Sequence, residues 1–477
     1  MSASNDGLDT IPEAETAEGD GAQTREPAVL GLVMLHSHHE PELCGAWFPA
    51  NPVGATQVRV LGRGSGDADD KRPRLLGFRQ RPGENAPVEP FRSPTLSKAQ
   101  LLVQNVNAQT LSLKNVGRLR LLVNGDAVDE ARVVPGDVVE LGSQLAFLCD
   151  LRPRRLRSAT GSYQHDFGAP DAHGFVGESR AAWQLRAEIA FAARHGGHVL
   201  VLGASGTGKE LVAQALHVLS QRPGVLIARN AATLPEALVD AELFGNLKNY
   251  PNPGMAERKG LIGAADGGTL FLDEFADLPS DAQAHVLRVL DNGEYHRLGE
   301  DRPRRSSFRL VAATNRPEAA LRLDLAARFD LKLRTPGLAD RREDIPSIAR
   351  HVLRAACGKD ASLLARAFTP DGALNCDAVF VRHLVQHDYP ANVRELRQLL
   401  WQALSASDSG ALAWPLTEAA EAASESAFPT ERLALQRALD ENNGSLERTW
   451  RALGLSSRHA LSRLLRKHAI SITKKPS

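Results

Sequence analysis

HVLVL at 198–202 runs into GASGTGKE at 203–210, and LVAQALHVL follows at 211–219. An apolar strand, a glycine-rich loop and an amphipathic helix in that order form the setting of a phosphate-binding loop. Gly203, Gly206 and Gly208 let backbone N–H groups converge on phosphate oxygens, with Ala204, Ser205 and Thr207 between them. The helix N-terminus adds the positive end of its dipole. Lys209 is spaced to reach β- and γ-phosphates, so ATP is the expected ligand. Glu210 stands where a hydroxyl residue usually follows the lysine, which leaves Mg2+ to Thr207 or, through water, to Asp273.

Two further strands supply the rest of a nucleotide site. GGTLFLDE at 267–274 delivers Asp273 and Glu274 to the carboxyl end of a buried strand, where open α/β sheets bind ligands. Asp273 is expected to orient the metal and Glu274 to polarise the attacking water. FRLVAATNRP at 308–317 ends in Asn315, which is expected to sense the γ-phosphate or hold that water. Strands alternating with helical patterns over 173–335 predict an α/β domain with a parallel sheet. Helices are expected over 336–405, then a Ser/Ala/Glu-rich linker over 406–428 and a small helical unit over 429–477.

The N-terminal third reads differently. Short apolar stretches separated by Gly, Pro and Asn turns over 29–150 predict an all-β sandwich. Residues 151–172, opening LRPRRLR, read as a linker whose arginines are solvated or touch a phosphate backbone. Residues 1–28 are polar and are expected to be disordered.

With 477 residues the chain has room for about three domains, and 43% hydrophobic content is enough for several cores. Cys44, Cys149, Cys357 and Cys376 form no C-x-x-C pair, which argues against a zinc ribbon or a disulfide framework. No apolar run approaches the roughly 18 residues of a membrane span, and no signal-peptide pattern is present, so a cytoplasmic protein without membrane contact is expected. Lys+Arg and Asp+Glu both number 57. That zero hides a segregation. Asp6, Asp9, Glu13, Glu15, Glu18, Asp20 and Glu26 against Arg25 make the N-terminal tail acidic. Arg448, Arg451, Arg458, Arg463, Arg466, Lys467, Lys474 and Lys475 against Glu447 make the C-terminal end basic. A basic end suits nucleic acid, whatever the average charge.

The motifs together resemble the AAA+ ATPases that activate sigma-54 RNA polymerase, the NtrC-like bacterial enhancer-binding proteins. GFVGES at 174–179, NAATLPEALVDAELFG at 230–245, DAQAHVLRVLDNGEYHRLG at 281–299, RLDLAARF at 322–329 and YPANVREL at 389–396 carry the resemblance. It implies that Asn230 restrains the catalytic Glu274, that Arg322 and Arg328 act as arginine fingers on a neighbouring subunit's nucleotide, and that Arg394 is the lid's sensor arginine. It implies a homo-oligomeric ring, a hexamer, acting on the sigma-54 RNA polymerase holoenzyme. One departure stands out. The family's GAFTGA pore loop reads NYPNPG here, at 249–254. A DNA-bound phosphopeptide adaptor, with an ATPase that drives assembly alone, is therefore a second reading.

LGRG at 61–64, SPTLSKAQL at 93–101 and LVNG at 122–125 make the sandwich resemble a forkhead-associated domain. The resemblance implies a phosphothreonine protein as partner, with Arg63, Ser97 and Lys98 reading the phosphate. The family's Ser-Arg-x-His is Ser97-Lys98-Ala99-Gln100 here, and a lysine keeps the charge without the bidentate fork. GSLERTWRALGLSSRHALSRLLRKHAI at 444–470 reads as helix, turn at Gly454, helix, and resembles a Fis-type helix-turn-helix. Leu461, Leu464 and Leu465 form its buried stripe, while Arg458, His459, Ser462, Arg463 and Arg466 face DNA.

Overall fold

A computed structural model describes residues 28–50, 57–65, 72–156, 165–320, 326–407 and 410–415, with positions 435, 436, 439, 446, 449, 450, 453, 461 and 465. The expected tail, Arg322 and the DNA-facing Arg458, His459, Ser462, Arg463 and Arg466 lie outside these residues. Leu435, Leu439, Leu461 and Leu465 share a small apolar cluster. Among the described residues no helix is long and apolar enough to cross a membrane.

Twelve strands build the N-terminal β domain: β1 (Ala28–Ser37), β2 (Trp47–Pro49), β3 (Arg59–Leu61), β4 (Phe78–Arg81), β5 (Glu84–Pro87), β6 (Leu101–Asn107), β7 (Thr110–Asn115), β8 (Leu121–Val123), β9 (Asp126–Val128), β10 (Glu130–Val133), β11 (Val138–Leu141) and β12 (Leu145–Pro153). One sheet runs β5-β4-β2-β1-β12-β11-β8-β9 and the other β10-β7-β6-β3. The strand β1, AVLGLVMLHS, is almost wholly apolar and is buried on both faces. Leu30, Leu32 and Met34 point into the sandwich core. Val29, Val33 and Leu35 point the other way, into a second core.

That second core belongs to the helical region. Four helices follow the central domain: α6 (Ile345–Cys357), α7 (Ala361–Ala367), α8 (Ala378–Gln386) and α9 (Val393–Ala406). Ile348, Leu353, Phe380, Val381 and Leu384 share one cluster with Val33, Leu35, Trp47, Val138 and Leu148 of the sandwich. The contact also carries charge. Glu140, fully buried, pairs with Arg382 at 2.9 Å, and Asn124 accepts a hydrogen bond from Gln386 at 2.8 Å. Burial pushes the Glu140 carboxyl up, against the pull of Arg382.

Between these two lies the central domain. Its sheet is parallel, ordered β14 (Leu226–Asn230), β15 (Thr269–Asp273), β18 (Arg309–Thr314), β13 (Val199–Leu202) and β19 (Leu331–Arg334); the ribbon β16 (Glu294–Tyr295) and β17 (Arg304–Arg305) stands apart. Helices α1 (Arg180–Arg194) and α2 (Lys209–Leu219) cover one face through Leu185, Ile189, Val212 and Leu216. Helices α3 (Val239–Phe244), α4 (Leu261–Ala264) and α5 (Ser280–Asn292) cover the other with Leu243, Ile262 and Val286.

Two linker expectations are corrected. The strand β12 continues to Pro153, so residues 151–153 belong to the sandwich. Arg152 is buried there, paired with Asp150 at 3.1 Å and with Glu343 at 2.9 Å, and faces neither solvent nor a phosphate backbone. A buried guanidinium needs such partners, and only folding supplied them. After α9 the chain returns, and Trp414 lies on His383 and Phe380 of α8, so the start of the second linker is packed.

Because the lid and sandwich share one core, Leu384→Ala should cost about 2–5 kcal/mol. Scanning calorimetry should show one transition for both parts shifting together. A sandwich transition left in place would show separate cores.

Candidate functional site

The phosphate loop begins where β13, four buried residues between β18 and β19, ends at Gly203. Gly206 and Gly208 have φ of +76° and +97°, the left-handed region that favours glycine. A Cβ on Gly203 would stand 1.9 Å from the Thr335 hydroxyl. Lys209 opens α2, is buried, and donates to the carbonyls of Gly203 and Ala204 at 3.1 and 3.4 Å. Glu210 is exposed in the first turn. Thr207 is engaged within the fold. Its hydroxyl donates to the Ala204 carbonyl at 2.8 Å and meets Thr335 Oγ1 at 2.7 Å. In this structure it braces the loop from beneath.

Asp273 and Glu274 stand half-buried at the end of β15. Glu274 adopts φ +49°, a strained conformation for a side-chain-bearing residue that commonly marks a functional position. The Asn315 amide, at the end of β18, donates to its carboxylate at 3.3 Å. Asn230 lies opposite Asp273 in the β14–β15 register. Its side-chain oxygen accepts from Ala232 N at 2.9 Å, and in this structure the amide that donates to Glu274 is that of Asn315. Arg328 is half-exposed and pairs with Asp291 at the end of α5 at 2.7 Å. Ion pairs between exposed groups are weak. The guanidinium is therefore free to exchange partners.

The helical region closes over the loop. Asn392 donates to the Ser205 carbonyl at 3.0 Å and accepts from Leu338 N at 2.9 Å. Val393 N donates to the Gly206 carbonyl at 3.2 Å, and Arg394 donates to the Ser205 hydroxyl at 2.6 Å. Sequence reasoning singled out Arg394 but missed Asn392 and Thr335. Asn392 reads as an ordinary helix N-cap, yet its side chain makes no capping bond and spans two domains instead. Beside the loop, between body and lid, lies a cavity of about 570 Å³ lined by Phe175, Val176, Leu211, Ile348, Val352 and Arg397. Apolar walls with the guanidinium groups of Arg341 and Arg397 suit a purine ring, and the adjoining loop suits its phosphates.

NYPNPG, at 249–254, is exposed. Asn249 accepts from Gly254 N at 3.0 Å, closing the loop at its base. The Tyr250 ring lies where a Cβ of Gly299 would stand, 2.6 Å from Cγ.

In the sandwich, Arg63 N donates to the Ser97 carbonyl at 3.0 Å, and Ser97 Oγ accepts from Arg118 N at 2.9 Å. Arg63, Ser97 and Lys98 thus meet at one edge, joined by the exposed Arg118. Gln100, fully buried, donates to Asn115 Oδ1 and to the Leu119 carbonyl, both at 2.8 Å. It stitches the loops together from behind, a role that its place in the motif did not reveal.

Residues 175–336 match the sigma-54 interaction domain, and residues 339–415 match the AAA+ ATPase lid domain. The nitric oxide reductase transcription regulator NorR2 of Cupriavidus necator is 35% identical over 361 residues, 65% of this chain and 67% of that protein. This chain belongs to the sigma-54 interaction family of AAA+ ATPases. The transcriptional regulatory protein GlrR of Escherichia coli (strain K12) is 38% identical over 240 residues, 49% of this chain and 52% of GlrR. The chain thus spans about half the length of GlrR. A crystal structure of NtrX from Brucella abortus in complex with ADP overlaps 62% of this chain and 70% of that one, at 28% identity and a TM-score of 0.46. The body described above is the sigma-54 interaction domain, α6–α9 are the lid, and the cavity is lined by both.

A methyl group on Gly206 would lie 2.3 Å from the Ala391 carbonyl, in a left-handed backbone. Gly206→Ala should therefore cost about 1–3 kcal/mol and push the lid off the loop. Thermal melting should fall, and fluorescent-nucleotide titration should show weaker binding.

Proposed function

We propose that this chain is an ATP-hydrolysing, DNA-bound transcription regulator of the sigma-54 activator type, gated by a phosphothreonine-reading sandwich. The observation that carries it is a phosphate loop bonded by Lys209 and by Arg394 of the lid, with Asp273, Glu274 and the Asn315 that touches Glu274 at the carboxyl ends of strands of the same sheet. Lys209 would leave the loop carbonyls for the β- and γ-phosphates. Gly203–Gly208 would cradle the phosphates. Asp273 would hold Mg2+ through water, and the metal would supply charge neutralisation between the phosphates. Glu274 would accept a proton from the water that attacks the γ-phosphorus as the bond to the β-bridging oxygen breaks. Asn315, which touches Glu274, would orient that carboxylate.

Arg322 and Arg328 would complete the site of the next subunit in a hexameric ring, neutralising charge on the leaving phosphate. The weak Asp291 partner supports an Arg328 that can leave its own subunit. Arg63, Ser97 and Lys98 would bind the phosphothreonine through charge-assisted hydrogen bonds. Arg458, His459, Ser462, Arg463 and Arg466 would contact DNA in the cytoplasm, which the basic C-terminal end supports.

The pore loop favours a second reading. With Asn249 tied to Gly254 and Tyr250 laid on Gly299, NYPNPG has no free Phe-Thr tip to offer. An assembly-driven DNA-bound adaptor would need none. Purified sigma-54 captured by the assembled ring with a transition-state nucleotide mimic supports remodelling. No capture by an intact ring supports the adaptor.

Glu274→Gln should reduce ATP turnover at least about a hundredfold while leaving nucleotide and DNA binding in place. Normal turnover in that variant would overturn the assignment of the base.

A further inference from the structure

The nucleotide cavity lies in the cleft between the body and the lid, so anything that fixes the angle between them controls the site. The hinge is compact. Asp344, just ahead of α6, accepts from the amides of Glu178 and Ser179 at 2.8 and 3.0 Å, at the threshold of α1. These three groups tie the first residues of the lid to the first residues of the body.

The sandwich reaches both sides of this knot. From β4, Arg81 pairs with Glu178 at 2.8 Å and donates to the His165 carbonyl at 2.8 Å. From β12, buried Arg152 pairs with Glu343, the neighbour of Asp344, at 2.9 Å. Glu178 also accepts from Trp183 of α1 at 3.1 Å and from Gly168 N at 2.9 Å, so Arg81 grips a carboxylate already fixed to the body. Farther along the lid, the shared apolar core and the Glu140–Arg382 pair hold the sandwich to α6 and α8. A domain bonded to both halves of a cleft and to the hinge between them restrains the opening of that cleft.

We infer that the sandwich is a latch across the body–lid hinge: Arg81 holds the body, Arg152 holds the hinge, and the pair holds the lid on the phosphate loop, slowing nucleotide exchange. This inference deepens the proposed function by naming the regulation of its nucleotide site. It rests on the nucleotide reading of the cleft and is independent of whether the sandwich reads phosphothreonine. By linkage, any ligand that pulls the sandwich from either contact changes nucleotide affinity, and nucleotide changes that ligand's affinity by the same factor.

The test uses the full chain loaded with fluorescent ADP and chased with excess ADP in a stopped-flow instrument. Arg81→Ala severs the body contact at a half-buried position. The double change Arg152→Met with Glu343→Gln removes both charges of the hinge pair and leaves Asp150, which is part-exposed to solvent, as the carboxylate that loses a partner. Each should speed nucleotide release about fivefold or more, the loss expected from one charge-assisted contact. Arg81→Lys, which keeps one ion pair, should restore most of the slow release. Glu178 and Ser179 amides should also exchange hydrogen faster in both altered proteins. Release at the unaltered rate in both, with melting curves that show intact folding, overturns the latch. Faster release in Arg81→Ala that Arg81→Lys does not slow overturns it too, because general loosening would then explain the effect. Failure of the unaltered chain to bind fluorescent ADP overturns both the latch and the nucleotide reading.

Discussion

The backbone of the phosphate loop is held by hydrogen bonds that reach it from outside. Thr335 at the end of β19 meets Thr207 from below. Asn392 and Val393 of the lid donate to the carbonyls of Ser205 and Gly206 from above. A loop that turns through left-handed glycines gains little stability from its own contacts. Its shape is therefore set by neighbours distant in sequence, and those neighbours belong to two different layers of the domain. The constraint also explains why Gly203 and Gly206 are glycines. Each stands where an outside oxygen has taken the space of a side chain.

From that loop the dependence runs outward. The lid that clasps it has no core of its own separate from the sandwich, because β1 is apolar on both faces and gives one face to each. The ordering of the loop, the placing of the lid and the docking of the β domain are thus successive parts of one packing problem. Buried charge marks the joints. Glu140, Arg152, Glu178, Glu343 and Asp344 all sit at boundaries between domains. Burial pushes the Glu343 carboxyl up to about 7 even with Arg152 beside it. Groups that costly to bury are tolerated where each has a specific partner, and a specific partner fixes geometry in a way that apolar contact does not.

The catalytic geometry shows the same economy of neighbours. Asp273 and Glu274 come from one strand end, but the residue that meets Glu274 arrives from the adjacent strand. Asn230, on the other side of Asp273, spends its side chain on the turn that follows it. Both asparagines are polar residues at strand ends, and their sequence neighbourhoods do not distinguish them.

The sequence by itself determined the central α/β layer, the phosphate loop, the two acids at one strand end and the lid motif. Those features are written in local patterns: apolar runs that become strands, glycines that permit a tight loop, and helical periodicity. It also determined a β domain ahead of them. Only the tertiary structure decided that Thr207 braces the loop, that Arg152 is a buried joint and not part of a solvated spacer, that Asn392 bridges domains, and that Gln100 is structural. The physical reason is common to all four. A hydroxyl, a guanidinium or an amide has the same character wherever it falls in the chain, and its partner is supplied by a residue that folding brings close. Apolar patterning records which face is buried, but not what it is buried against.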